Sequence, residues 1–101
     1  MKLVLATGIR ARMTGLLKSS RCAKGEALLL APCRSIHSFG MRSALDVAFL
    51  DAKAVVVFSE RNVPPNRMRS HARAVAVLER RSSPSQSWPL VGESMTLDFD
   101  D

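Results

Sequence analysis

Cys33, His37 and Met41 recur every four residues, and Arg42 and Asp46 repeat the same interval. Residues four apart share one face of a strand and lie one turn apart on a helix, so either geometry lines up a thiol, an imidazole and a thioether. Together they make a soft donor set suited to Cu(I). A structural zinc site asks for four N, S or O ligands, and Cys22 is the only other thiol in the chain. Cys and Met are also common core residues, and a backbone carbonyl can satisfy an imidazole, so the expectation is no metal and no cofactor. His37 with Asp46 forms a second arrangement, because an imidazole oriented by a carboxylate can act as general acid and base. Ser35 and Ser38 have no nucleophile-elbow context, and Cys33 lacks a protease motif. Arg12, Arg34 and Arg42 make a third set, able to hold a carboxylate or phosphate through paired N–H groups.

Asp46 stands beside Leu45 and ahead of Val47-Ala48-Phe49-Leu50, which predicts a buried carboxylate in need of charged or hydrogen-bonding partners. Arg34, His37 and Arg42 are the candidates. The elements that must position these groups are short. Lys2–Ala6 reads as a strand, and apolar residues at 9, 13, 16 and 17 predict a helix over 9–18, weakened by Gly15. The apolar runs 27–31, 45–50, 54–58 and 74–78 predict further strands, with Asp51-Ala52-Lys53 closing an antiparallel hairpin. Residues 59–72, with Pro64-Pro65-Asn66 and Arg67, Arg69 and His71, read as a solvated arm. Residues 82–87 read as a link, 94–99 as a last strand and 98–101 as a frayed tail. His71 is expected on the surface and Trp88 as a core or edge anchor.

At 101 residues the chain is expected to form a single domain with room for one compact site. Several short strands and one N-terminal helix predict a mainly β fold, a small antiparallel sandwich or barrel. The net charge of +6 is unevenly spread. Residues 1–44 hold eight Lys or Arg against Glu26 alone, whereas 81–101 hold Arg81 against four acids. Such a front-loaded base marks an anion-binding face. Eleven of the fifteen bases are Arg, in keeping with an Ala- and Arg-rich composition. No basic run interleaved with aromatics appears, so nucleic acid is not the expected partner. The apolar stretch after Lys2 is shorter than a secretory core and nothing approaches a membrane span, which predicts a cytoplasmic protein with reduced cysteines. A Cys22–Cys33 bridge depends on geometry and compartment.

The motifs Arg12-Met13-Thr14-Gly15-Leu16-Leu17, Gly25 through Leu30, Pro32 through His37, Phe39 through Arg42 and Asp46 through Asp51 occur in an order and spacing that resembles the domain of unknown function 192 family. The resemblance covers about residues 8–80. It implies a compact, mainly β, jelly-roll-like domain, and it implies no activity, since the family carries none. Ser43 and Ala44 replace an aromatic and a proline frequent in the family, and Arg80-Arg81-Ser82 replaces an apolar turn.

The first functional expectation is a small non-enzymatic ligand-binding or accessory module with a polar site around His37, Arg42 and Asp46, joined by Arg12 and Arg34. Its partner would be a small anionic ligand or a protein. The alternative is an enzyme using His37 and Asp46 for acid–base chemistry. A third reading is soft-metal binding by Cys33, His37 and Met41.

Overall fold

The computed structural model describes residues 2–6 and 26–95. The helix expected over 9–18, Arg12, Cys22 and the tail 98–101 lie outside them. Among the described residues seven strands follow in order: β1 (Lys2–Ala6), β2 (Glu26–Leu30), β3 (Ser35–His37), β4 (Leu45–Leu50), β5 (Val56–Val63), β6 (Met68–Ser70) and β7 (Ala76–Arg81). Five of them form one sheet in the order β1-β2-β7-β4-β5, and β3 and β6 form a separate two-stranded ribbon. All pairings are antiparallel except β1 with β2, which is parallel. A parallel pair needs a crossover of about a dozen residues or more, and residues 7–25 separate these two strands.

The apolar runs explain the sheet. β4 reads Leu-Asp-Val-Ala-Phe-Leu and is buried along its whole length, as a strand covered on both faces must be. Alternate residues supply two cores. One face carries Leu28, Leu30, Leu45, Val47, Phe49, Val63 and Val77, against which Ile36 of the ribbon and Ala74 pack. The other carries Ala27, Leu29, Ala48, Leu50, Val56, Ala76 and Leu78, closed by Trp88. Phe49 is fully buried, which contributes about 2–3 kcal/mol relative to an exposed ring. Trp88 is thus a core anchor, and its indole N–H donates to the Val47 carbonyl at 3.0 Å.

The ribbon is tied to the sheet by an ion pair. Arg69 donates through Nε to Glu60 Oε1 at 2.8 Å and through Nη2 to Oε2 at 3.2 Å. The arm expected over 59–72 is therefore half strand: β5 runs on to Val63, and Met68–Ser70 is β6. Its polar residues mimic a loop in the sequence, but in the fold Glu60 and Arg69 satisfy each other. β7 likewise continues past Leu78 to Arg81, because Glu79 and Arg80 are strand residues. The 45–50 and 54–58 runs do form an antiparallel hairpin, closed by Lys53 and Val55 N–H groups that donate to Asp51 Oδ1 at 2.9 and 3.0 Å. These backbone bonds hold the Asp51 carboxyl below its usual range. Of the last expected strand, the described residues contain the bridge Val55↔Ser94 and a Met95 N–H bond to the Ala54 carbonyl.

Candidate functional site

Asp46 anchors a closed network. On β4 it stands opposite Arg80 of β7, and β5 bulges at the same level, so that two residues, Arg61 and Asn62, face it between the pairs Leu45↔Val63 and Val47↔Glu60. Asn62 has φ of 60°, a conformation Asn tolerates better than most residues, and its N–H donates to Asp46 Oδ1 at 3.0 Å. Arg80 Nε donates to Oδ2 at 3.0 Å, the Ser82 hydroxyl to Oδ1 at 3.1 Å and the Ser83 N–H to Oδ2 at 3.3 Å. The Arg80 guanidinium lies 4.6 Å from the centre of the Trp88 ring. Arg61 Nη2 stands 3.7 Å from Oδ2 and donates to the carbonyls of Ser83 and Gln86. Burial by itself raises the Asp46 pKa. The Asn62 N–H, the Arg80 guanidinium, the Ser83 N–H and the Ser82 hydroxyl outweigh it and hold the carboxyl below its usual range.

These bonds correct the pairing expected from the sequence. Asp46 is buried and partnered as predicted, but by Arg80 and by the backbone of the bulge rather than by Arg34, His37 or Arg42. The physical reason is strand register: β7 brings in a residue far along the chain, while His37 belongs to the separate ribbon. The His37–Asp46 acid–base pair is not formed. His37 instead stacks on Phe39, with ring centres 5.3 Å apart.

Cys33, His37 and Met41 are not aligned either. β3 is only three residues long, and Pro32 and Gly40, the latter with φ of 81°, interrupt the run at both ends. Cys33 and Met41 pack on the core beneath the ribbon, where the Cys33 Sγ donates to the Ser35 carbonyl at 3.0 Å, while His37 is exposed. Among the described residues no three His, Cys, Asp or Glu side chains form a group able to hold a metal.

The ribbon itself is the more open feature. Ile36 faces the core, so its neighbours Ser35 and His37 face solvent, as do Met68 and Ser70 on the partner strand. Ser38 holds the tip together. This fully buried residue accepts the Arg67 N–H on its hydroxyl at 2.9 Å and donates that hydroxyl to the Pro64 carbonyl at 2.8 Å. Its backbone N–H donates to the Arg67 carbonyl, and its own carbonyl accepts from Met41 and Asn66. The tip thus fixed displays Phe39, 48% exposed, and Met68, 62% exposed. Arg34, Arg42, Arg67 and Arg73 are exposed on the ribbon and its loops. Residues 27–45 and 61–78 contain no Asp or Glu. Both histidines of the chain lie in these two segments, and His71 accepts the Arg73 N–H on Nδ1.

Sequence reasoning passed over Arg80, Arg61, Ser38 and Glu79. Glu79 sits in the middle of the sheet, opposite Leu28 on β2 and Val47 on β4, and is only 6% exposed. Burial pushes its carboxyl up to about 7. A signal for Arg80 did exist: aligning the run from Leu45 antiparallel to the run ending at Arg81 sets Asp46 against Arg80.

The architecture defines a small mainly β domain, a five-stranded sheet covered by a ribbon. A model of the domain of unknown function 192 family, described as uncharacterized ACR, matches residues 1–95, and the chain belongs to that family. The match extends beyond the 8–80 span expected from the motifs. A search of curated proteins found no match. Among solved structures, the chain is similar to a protein of unknown function from Novosphingobium aromaticivorans DSM 12444, with 20% identity and a TM-score of 0.67 over 79% of this chain and 62% of that one. It is equally similar to a putative transcription regulator from Sinorhizobium meliloti 1021, with 17% identity and a TM-score of 0.67 over 79% of this chain and 67% of that one. These likenesses show a shared β fold. The chain spans about three fifths of the length of the first of them. No specific activity is indicated by the family or by these structures. Among the described residues no helix is long and apolar enough to cross a membrane.

Proposed function

We propose that the chain is a small, non-enzymatic, cytoplasmic binding module that holds an anionic ligand or an anionic stretch of a protein on its ribbon. Arg34, His37, Arg42 and Arg67 carry the contact, and Asp46 acts at a distance by fixing β4, β5 and the 82–86 loop. The observation that carries this reading is the charge of the ribbon surface. Arg34, Arg42, Arg67 and Arg73 are exposed in segments that contain no carboxylate, while Glu60, Asp46 and Glu79 are paired or buried in the sheet. Clustered guanidiniums raise the local potential and draw in anions, and of these four Arg73 has an acid, Asp51, within electrostatic reach. The acid expected to orient the His37 imidazole is bonded to Arg80 instead, which supports binding over acid–base catalysis.

The test is a titration of the labelled protein with inorganic phosphate and with citrate, followed by amide NMR. Saturable shifts confined to residues 33–42 and 64–73, weakened in Arg42→Ala and Arg67→Ala and by added salt, are expected. Scattered, non-saturating shifts would defeat the proposal. Recovery of the chain with the membrane or exported fraction of cells would defeat the cytoplasmic part of it.

A further inference from the structure

We infer that the ribbon's occupant is an acidic peptide segment of a protein partner, with an apolar side chain seated against Phe39 and Met68 and carboxylates reaching the surrounding arginines. This inference rests on the anion-binding reading above. It begins from a feature that a simple anion would leave unused. His37 and Met68 are direct partners across the ribbon. The Ser38 N–H bond to the Arg67 carbonyl and the His71 N–H bond to the Arg34 carbonyl lie in phase with the pair Ile36↔Arg69. His37↔Met68 is therefore a non-hydrogen-bonded pair, the kind whose side chains stand closest. Phe39 stacks on the same imidazole, at 25° to it. The outcome is an apolar platform of Phe39, His37 and Met68 whose two largest members are about half exposed or more.

Two further observations choose a peptide. First, the same phase turns the backbone N–H and C=O groups of Ser35 and His37 to the outer edge of β3, where the Ser35 carbonyl already accepts the Cys33 thiol, and among the described residues no third strand pairs with the ribbon. An extended peptide can use such an edge while alternate side chains meet the platform. Second, single-stranded nucleic acid binders stack successive bases on several aromatic rings. Among the described residues Phe39 is the exposed phenyl ring, Phe49 and Trp88 are buried and Phe58 packs against Phe49, and the chain has no Tyr. The complement of this surface is a segment in which carboxylates flank an apolar residue.

The experiment is a calorimetric titration of the full chain with a short peptide alternating Glu and Leu, the same peptide with Ser for Leu, oligo-deoxythymidine and inorganic phosphate. The Glu–Leu peptide is expected to bind about tenfold more tightly than the Glu–Ser peptide. Phe39→Ser combined with Met68→Ser should erase that difference while leaving the Glu–Ser affinity in place. Both side chains are exposed, and an unchanged unfolding midpoint confirms that the variant keeps its fold. Equal affinity for the two peptides overturns the inference and leaves anion binding standing. Tighter binding of the oligonucleotide than of the Glu–Leu peptide overturns it in favour of nucleic acid. Failure of all four probes to bind overturns both this inference and the reading beneath it.

Discussion

Glu79 lies in the middle of the sheet between Leu28 and Val47, and replacing it with Gln tests how that position shapes stability. Burial raises its pKa from 4.5 to about 7, and desolvation is the cause. Between those values the folded chain keeps a proton that the unfolded chain has lost, so stability falls as pH rises through this window and levels off above it. At 1.36 kcal/mol per pH unit, ionising Glu79 in the fold costs about 3 kcal/mol. Gln has nearly the same shape and no charge, so Glu79→Gln should match the wild type near pH ~5 and exceed it by about 3 kcal/mol near pH ~8. Urea unfolding followed by Trp88 fluorescence at a series of pH values measures both curves. A wild-type protein as stable at the alkaline end as at the acid end would refute the reasoning, as would a Gln variant that keeps the wild-type slope.

Four further outcomes follow from the bonds described above. Asp46→Asn removes the charge opposite the buried Arg80 and should cost about 3–5 kcal/mol in denaturant unfolding, since a buried cation is left unpaired. Asp46 also predicts acid sensitivity: its lowered pKa gives stability that is present above the unfolded value of 3.8 and lost as pH falls through the folded one, and this acid limb should shrink in Asp46→Asn. Ser38→Ala strips the hydroxyl that joins the 38–42 and 64–67 loops, and a loss of about 1–3 kcal/mol with faster amide exchange at Arg67 is expected. Trp88→Phe keeps the apolar bulk but loses the bond to the Val47 carbonyl, for a cost of about 1–2 kcal/mol in the same unfolding assay.

The strands were most legible where burial is continuous. β4 coincides with the predicted 45–50, since a strand sandwiched between two cores is apolar on both sides and leaves no ambiguity of period. β5 and β7 were cut short at their charged halves, because Ser59-Glu60-Arg61-Asn62 and Glu79-Arg80-Arg81 look solvated until their partners on other strands are known. The same gap explains the site. That Asp46 would be buried and need a partner followed from its apolar neighbours; that the partner would be Arg80 depended on how β4 and β7 align, a long-range fact that local spacing does not hold. Spacing by four misled for Cys33, His37 and Met41 because periodicity aligns side chains only within an unbroken element, and β3 ends one residue before Ser38.

The order of strands in the large sheet has a consequence for synthesis. β7 is the central strand, hydrogen-bonded on one side to β2 and on the other to β4, although it is the last of the seven to be made. Until it leaves the ribosome, Leu28, Leu30, Val47 and Phe49 have no strand between them to close the cores, and only the β4–β5 hairpin and the β3–β6 ribbon can pair antiparallel. Pairings between distant segments form slowly, and the apolar strands that await them stay open to association with other chains. The nascent domain therefore passes through an aggregation-sensitive stage that ends only when Arg80 meets Asp46 and Trp88 closes over Leu78, so that folding is decided by the final third of the chain.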